Sequence, residues 1–328
     1  MKLIILSEQK SFIKKPRSSD CIIGQEEAFR ANKNVSIVYK SLLIKNINRV
    51  LKKINIKPIY EPFAKRYKED SIYFYIAMNL NYLEANKHIL KKLKANSNKI
   101  ALYIYDCWEP EFNDWDKVFN EIKPDYIFFC FKQTYEHYRN TYNAYWIPQS
   151  ADLRKFKFLN LKKERKFIQI GRVNQIIHKK ILEYLKINSL DDKEYVYRKN
   201  KNELLFPKLE DLVSEINKSK YIVCVPKCYE NYKRTGNISG ITARYFEAMA
   251  CKTLIIGKKP ISFDELFDEN GMIEFNDDYS NFNEIINELE NDDNKYNSIV
   301  ENNYQKLISE NSWNNRLEEI LNIINQSN

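Results

Sequence analysis

Residues 235–257 read TGNISGITARYFEAMACKTLIIG, and the pattern in this stretch decides the fold. Just upstream, residues 221–225 form a short apolar run. A polar loop holding Gly236 and Gly240 follows, an amphipathic stretch starts near Ile241, and residues 253–256 are again apolar and β-branched. Strand, glycine loop, helix and strand in succession make a βαβ unit. A glycine loop feeding a helix N-terminus aims unpaired N–H groups and the positive end of the helix dipole at one spot, which suits a diphosphate. Arg244 and Glu247 stand three residues apart on one helical face. A guanidinium that grips phosphate and a carboxylate that accepts both hydroxyls of a ribose can therefore reach one ligand, although the same spacing also makes a plain surface ion pair worth roughly 0.2–0.5 kcal/mol. Phe246, Ala248, Met249 and Ala250 are read as core.

The same alternation runs outward in both directions. In the first half, residues 3–6, 35–39, 72–76, 100–105, 126–131 and 145–147 are uncharged and rich in β-branched or aromatic side chains, with helix-like stretches at 41–54, 81–95, 114–122 and 133–140. The second half restarts the series with strands at 167–170, 195–197, 221–225, 253–256 and 272–275 and helices near 179–186, 209–217, 241–251 and 263–267. Two βα series of similar length predict an α/β chain of two Rossmann-like, doubly wound domains. The boundary is expected within residues 150–165, giving an N-terminal domain over 1–150 and a C-terminal one over 151–310. Beyond Asn281 the pattern is helical only, and residues 311–328 read as a last helix, with Asn311 and Ser312 as caps, that packs back on the domain junction.

At 328 residues the chain is too long for one small core, and 44% apolar with 14% aromatic residues excludes disorder. No apolar run approaches the roughly 18 residues of a membrane span. MKLIILSE has too short an apolar stretch for a secretory signal and reads as a first strand, so a cytoplasmic location is expected. Cys21, Cys107, Cys130, Cys224, Cys228 and Cys251 form no CxxC pair, and His88, His137 and His178 lie far apart, which leaves a zinc site or disulfide framework without support. The charge is lopsided: residues 1–100 hold 21 Lys/Arg against 8 Asp/Glu, a net of +13, and the rest of the chain has a net of −4. A one-sided basic surface favours an anionic partner, such as the inner face of a membrane, a phosphate-linked glycan or nucleic acid.

GITARYFEAMACKTLIIG resembles the nucleotide-sugar segment of GT-B glycosyltransferases, particularly the CgeB-like group with its family 1-like C-terminal domain. FIQIGRVNQIIHKKILEYL (residues 167–185) is similar to the first strand, glycine turn and helix of that domain, and IPQSADLRKF to its interdomain entry. The resemblance implies that Gly171 and Arg172 lie against a donor diphosphate, together with Gly240 and Thr242 at the later glycine loop. It places Arg244 near a phosphate and Glu247 on the ribose. Many retaining members carry a second glutamate eight residues before the one at 247, where this chain has Ser239, and Lys252 replaces a frequent glycine. Both departures speak against a retaining mechanism.

KIALYIYDCWEPEFNDW (residues 99–115) ends a buried strand at Tyr105, so Asp106 falls at the carboxyl edge, where open α/β sheets place ligand-contacting residues. An aspartate there could deprotonate an acceptor hydroxyl, or merely cap the next turn. The segment resembles that of a phage DNA β-glucosyltransferase, a GT-B enzyme with an aspartate base at this strand end. The resemblance implies Asp106 as base and inversion, with Glu109 and Glu111 as fallbacks. Asp114 and Asp116 form an Asp-Trp-Asp triplet that a GT-A enzyme would give a divalent metal, but it stands at a helix start, and no metal is expected. Lys14, Lys15, Arg17, Ser18 and Ser19, in a polar loop over residues 11–24, and Glu109 are candidate acceptor contacts. His178, at a helix start, is a weaker candidate for phosphate. The expectation is a glycosyltransferase that needs no cofactor, uses a nucleotide diphosphate sugar, with UDP foremost, and acts on a glycan or lipid-linked glycan at an anionic membrane surface. The competing expectations are a DNA acceptor, a non-catalytic binding module, and a metal-dependent GT-A enzyme.

Overall fold

The computed structural model describes residues 2–8, 20–39, 47, 50, 51, 53, 54, 71–96, 98–200 and 205–326. The chain divides into two compact units, Met1–Pro148 with Lys233–Ile238 and Arg316–Asn328, and Gln149–Tyr232 with Ser239–Asn315. The first runs β1 (Lys2–Ser7), α1 (Asp20–Phe29), β2 (Val35–Tyr39), β3 (Ser71–Asn79), α2 (Leu80–Ala95), β4 (Lys99–Asp106), α3 (Phe112–Ile122), β5 (Tyr126–Phe129), α4 (Lys132–Tyr138) and β6 (Ala144–Trp146). Its six strands are all parallel, in the order β2-β1-β3-β4-β5-β6. A parallel sheet must cover both faces, so consecutive residues point into different cores. Tyr73, Tyr75, Leu102 and Ile104 face the layer made by α2 and α3. The alternate residues Phe74, Tyr103 and Phe128 stack on the other face, with Phe74 6.2 Å from Phe29 of α1 and 6.5 Å from Tyr103.

The second unit continues with β7 (Arg165–Gln169), α5 (Gln175–Ile187), β8 (Tyr195–Tyr197), α6 (Leu209–Lys218), β9 (Ser219–Cys224), α7 (Tyr232–Thr235), α8 (Ala243–Ala250), β10 (Leu254–Gly257), β11 (Ile273–Glu274), α9 (Phe282–Asn291) and α10 (Asp293–Glu310), and the last helix is α11 (Trp313–Gln326). Its five parallel strands run β11-β10-β9-β7-β8. Ile168, Ile222 and Ile255 join α6 and α8 on one face, and Phe167, Tyr221, Leu254 and Ile256 join α5 and α9 on the other. Each sheet therefore has a point where the strand order reverses, at β1/β3 and at β7/β9, and ligands of open α/β sheets bind beyond the carboxyl ends of the strands at such points. The two Rossmann-like, doubly wound sheets and the closing helix are those expected from the alternation.

Several elements differ in extent from the expectation. β3 runs on to Asn79 instead of stopping at Ile76, because its ladder with β4 continues through Ala77↔Ile104 to Asn79↔Asp106. Residues 20–24 of the expected polar loop are the first turns of α1, which seats Ile22 and Phe29 in the core. The expected helix at 263–267 is only a short 3-10 turn, Phe263–Glu265, which suffices to bury both Phe263 and Phe267. Ser312 Oγ accepts from Asn315 N at 3.3 Å at the start of α11, whereas Asn311 closes α10, donating to the carbonyls of Leu266 and Lys306 at 3.1 Å. The expected helix at 41–54 falls mostly outside the described residues.

Candidate active site

In the second unit β7 ends at Gln169 and turns at Gly171, whose φ of +86° is a left-handed conformation that glycine adopts without penalty. Open space surrounds the position a Cβ would take, so the main chain is accessible there. Arg172 follows, about half exposed, with Nη1 3.5 Å from Oε2 of Glu230. Asn174 then caps α5, its Oδ1 accepting from the amides of Ile176 and Ile177 at 3.1 Å each. Across the β7/β9 reversal, β9 leads through a long loop to α8. Thr242 is the N-cap of α8, with extended φ and ψ of −97° and 167° and no side-chain cap. The Ala243 amide is taken by Gln149 Oε1 at 2.9 Å. Ser239 and Gly240 are buried just before it.

Arg244 Nη1 and Glu247 Oε2 are 2.6 Å apart, with 27% and 13% of their side chains exposed, so the i,i+3 ion pair forms. Their geometry is that of a charge contact and falls outside hydrogen-bond alignment. Both lie in the first turns of α8, which follows the loop from the carboxyl end of β9, so the pair stands toward that edge of the sheet. The structure thus brings Gly171 and Arg172 to one side of the reversal point and Gly240, Thr242, Arg244 and Glu247 to the other.

In the first unit Asp106 is the last residue of β4, half-buried and opposite Asn79 of β3. The main chain on both sides of it is fixed from β5 and α4. Cys130 Sγ donates to the Tyr105 carbonyl at 2.8 Å and Thr134 Oγ1 to the Cys107 carbonyl at 3.0 Å. Trp108 is buried against Phe131, with ring centroids 5.1 Å apart. Glu109 opens a 3-10 turn, and its Oε2 accepts from the Asn237 amide at 2.6 Å and from Asn237 Nδ2 at 3.3 Å. Gln133 Nε2 donates to the Asn237 carbonyl at 2.9 Å. Oε2 of Glu111 is buried without a hydrogen-bond partner. Lys14, Lys15, Arg17 and Ser18 lie outside the described residues.

Residues 172–322 match the family described as glycosyl transferase-like. No curated protein matches the chain by sequence. Solved structures do resemble it along its whole length. HepE of Anabaena, in complex with UDP-glucose, is 11% identical and superposes with a TM-score of 0.61, covering 99% of this chain and 100% of that one. The N-terminal domain of trehalose-6-phosphate phosphatase of Candida albicans is 11% identical, with a TM-score of 0.62 and 99% of each chain covered. An α,α-trehalose-phosphate synthase (UDP-forming) of Burkholderia vietnamiensis is 10% identical, with a TM-score of 0.57 over 99% of this chain and 100% of that one.

The chain has the GT-B fold, and its residues 172–322 match a glycosyl transferase-like family.

In this GT-B chain the remaining candidates have local partners. Asp114 pairs with Lys117 at 2.7 Å and Asp116 accepts from Tyr142 at 3.0 Å. Among the described residues no group of three or more His, Cys, Asp or Glu could hold a metal. His178 Nδ1 is 3.3 Å from Tyr195 Oη, whose proton goes to Gln169 Oε1 at 2.7 Å, and burial lowers the imidazole pKa. Lys252 adopts a left-handed φ of +50° where a glycine was noted as frequent, and its ammonium is 2.6 Å from Glu301 and 4.5 Å from the Tyr304 ring. Burial pushes the Cys224 and Cys251 thiols up to about 12, so neither is a thiolate nucleophile at neutral pH. Sequence reasoning missed Cys130 and Thr134, which hold the main chain around Asp106, and Asn237 and Glu230. None stands in a local pattern that would have marked it.

Proposed function

We propose that this chain is a glycosyltransferase that moves a sugar from a nucleoside diphosphate sugar, with UDP as the nucleotide, to an acceptor hydroxyl, with inversion and without a metal ion, in the synthesis of a surface polysaccharide or other glycan. The carrying observation is the carboxyl edge of the second sheet, where the open Gly171 turn with Arg172 and the α8 start with Arg244 and Glu247 flank the β7/β9 reversal. These residues, Gly171 excepted, lie within the stretch that matches the glycosyl transferase-like family. UDP-glucose in the complex of the similar HepE supports the choice of nucleotide.

Gly171, Gly240 and Thr242 offer main chain to the diphosphate, Arg172 and Arg244 offer positive charge, and Glu247 accepts the ribose hydroxyls. Asp106 takes the proton of the acceptor hydroxyl as its oxygen attacks the anomeric carbon. The bond from that carbon to the diphosphate oxygen breaks, and the two arginines and helix ends stabilise the charge the leaving group gains. The acceptor is a glycan or lipid-linked glycan presented at an anionic membrane surface, a choice supported by the net +13 of the first hundred residues.

The test is a thermal-shift panel of UDP, GDP, CDP, TDP and their sugars with and without EDTA, followed by turnover of Asp106→Asn. UDP and a UDP-sugar should raise the unfolding temperature equally in EDTA, since a ligand that binds only the folded state stabilises it by mass action. Asp106→Asn should keep that rise and lose transfer by about 10²-fold or more. Normal turnover in Asp106→Asn would remove the aspartate from the base role, and no rise with any nucleotide would remove the donor site.

A further inference from the structure

A carboxylate already stands beside the turn that follows β7, at the β7/β9 reversal. Glu230 lies in the loop that leaves β9, with its side chain only 17% exposed and Oε2 3.5 Å from Nη1 of Arg172. Asn174, the N-cap of α5, favours the charged form of Glu230. The Asn174 oxygen is occupied by the amides of Ile176 and Ile177, which leaves its amide NH₂ as the group that can serve an anion. Arg172 and Asn174 both belong to the turn between β7 and α5, at the reversal point of the sheet, and both carry groups that recognise an anion. Burial works against the carboxylate charge and pushes its pKa up, while Arg172 and Asn174 pull it back.

We propose that Glu230 is a built-in anion that occupies the Arg172 end of the diphosphate site and is displaced when the donor binds, so that it sets the affinity of this chain for the diphosphate. This rests on the donor site assigned under the proposed function. The exchange swaps one carboxylate for a group with more charge and more acceptor oxygens. The Arg172 contact that Glu230 gives up is replaced in kind, while Glu230 itself returns to water, where its charge is better solvated. A nucleoside without phosphate does not need the exchange. Glu230 thus weakens diphosphate binding selectively, which favours release of the nucleoside diphosphate product, a step that often limits turnover in enzymes.

Calorimetric titration of UDP, uridine and inorganic pyrophosphate into the full-length wild type, Glu230→Gln, Arg172→Ala and the double variant tests this. Glu230→Gln keeps the shape and removes the charge, and should bind UDP and pyrophosphate about fivefold tighter, the size of a partly exposed ion pair. Its affinity for uridine should be unchanged, and the gain should vanish in the Arg172→Ala background. If the wild type binds UDP and Glu230→Gln binds it equally or less tightly, Glu230 is a surface partner or a donor contact and the inference falls while the donor site stands. If neither protein binds UDP or pyrophosphate, the donor site falls and the inference goes with it.

Discussion

Gly236 is constrained both in its backbone and in its surroundings. Its φ is +58°, and a Cβ added there would lie 2.2 Å from Glu109 Oε2 and 2.7 Å from Glu109 Cβ. The same Glu109 oxygen accepts the amide of the next residue, Asn237, at 2.6 Å, a short bond strengthened by the carboxylate charge. Torsion and space both exclude a side chain, and the loop can accommodate one only by pushing away the carboxylate that holds it. Gly236→Ala should therefore lower the stability of the chain by about 1–3 kcal/mol, as expected for a non-glycine residue forced into a left-handed turn with a lost charged hydrogen bond. Urea unfolding with the slope held common to both proteins measures it, and a variant as stable as the wild type would show that the Glu109–Asn237 contact does not hold in solution. Glu109 stands three residues after Asp106 and Asn237 five residues before Thr242. One contact therefore fixes residues 236–237 to the turn that follows β4. Nothing in the sequence could have paired them, since 128 positions separate the two and Glu109 was read as an acceptor contact.

Helix α1 illustrates the same gap between pattern and packing at the level of an element. It docks through Ile22 and Phe29, yet Gln25 and Glu26 on the same helix are only 0% and 1% exposed. Hydrophobic patterning counts such residues as surface, so the apolar pattern alone does not reveal this helix. Each has its own polar anchor on the sheet: Tyr105 Oη donates to Gln25 Oε1 at 2.9 Å, and Ser7 Oγ donates to Glu26. Burial nevertheless pushes the Glu26 pKa up to about 7, outweighing the Ser7 hydrogen bond and the Arg30 charge that favour the ionised form, with Glu8 and Glu27 adding to the rise. Between its unfolded pKa of 4.5 and about 7, the folded chain keeps a proton that the unfolded chain has lost, so raising the pH across that window destabilises the fold. The loss is complete above pH 7, on the order of 3 kcal/mol by linkage. Glu26→Gln, which cannot ionise, should remove that part of the pH dependence and exceed the wild type in stability at pH 8 while differing less at pH 5. Urea midpoints of both proteins across that range decide it, and parallel curves would contradict a buried, proton-holding Glu26. The strands were easier to read than this helix because both faces of each sheet are buried. Runs such as residues 100–105 carry no charge in any register, so no choice between faces had to be made.

Across the whole molecule, the two sheets and their βα order followed from the alternation of apolar runs, and Asp106, Gly171, Arg172, Arg244 and Glu247 all fall at carboxyl edges or in the turns and helix beside them. The groups that hold those residues in place come from distant strands and loops, and only the folded chain brings them near. Charge was legible as a total but not as a surface. Of the 21 Lys and Arg in the first hundred residues, 12 lie outside the described residues. On α2 the lysine run is largely matched by acids of its own unit: Lys87 and Lys91 reach Glu121 at 2.8 and 3.0 Å, and Lys94 reaches Asp125 at 2.6 Å. Pairs of this kind cancel at long range, so the attraction of the N-terminal unit for an anionic partner must come mainly from the other basic residues. No helix among the described residues is long and apolar enough to cross a membrane. With roughly 1 kcal/mol for each basic residue that approaches an anionic leaflet, a net of +13 is ample for binding at low salt, and screening should abolish it as the Debye length falls to a few ångströms near 1 M. Co-sedimentation with vesicles of mixed phosphatidylserine and phosphatidylcholine, set beside a duplex DNA titration over the same salt series, separates the acceptors. Salt-sensitive binding to vesicles and not to DNA supports a lipid-linked acceptor. Binding to DNA alone, with a steep salt slope, transfers the proposal to a nucleic-acid acceptor. Indifference to both at low salt leaves the basic third as a solvated surface and removes the membrane from the proposed function.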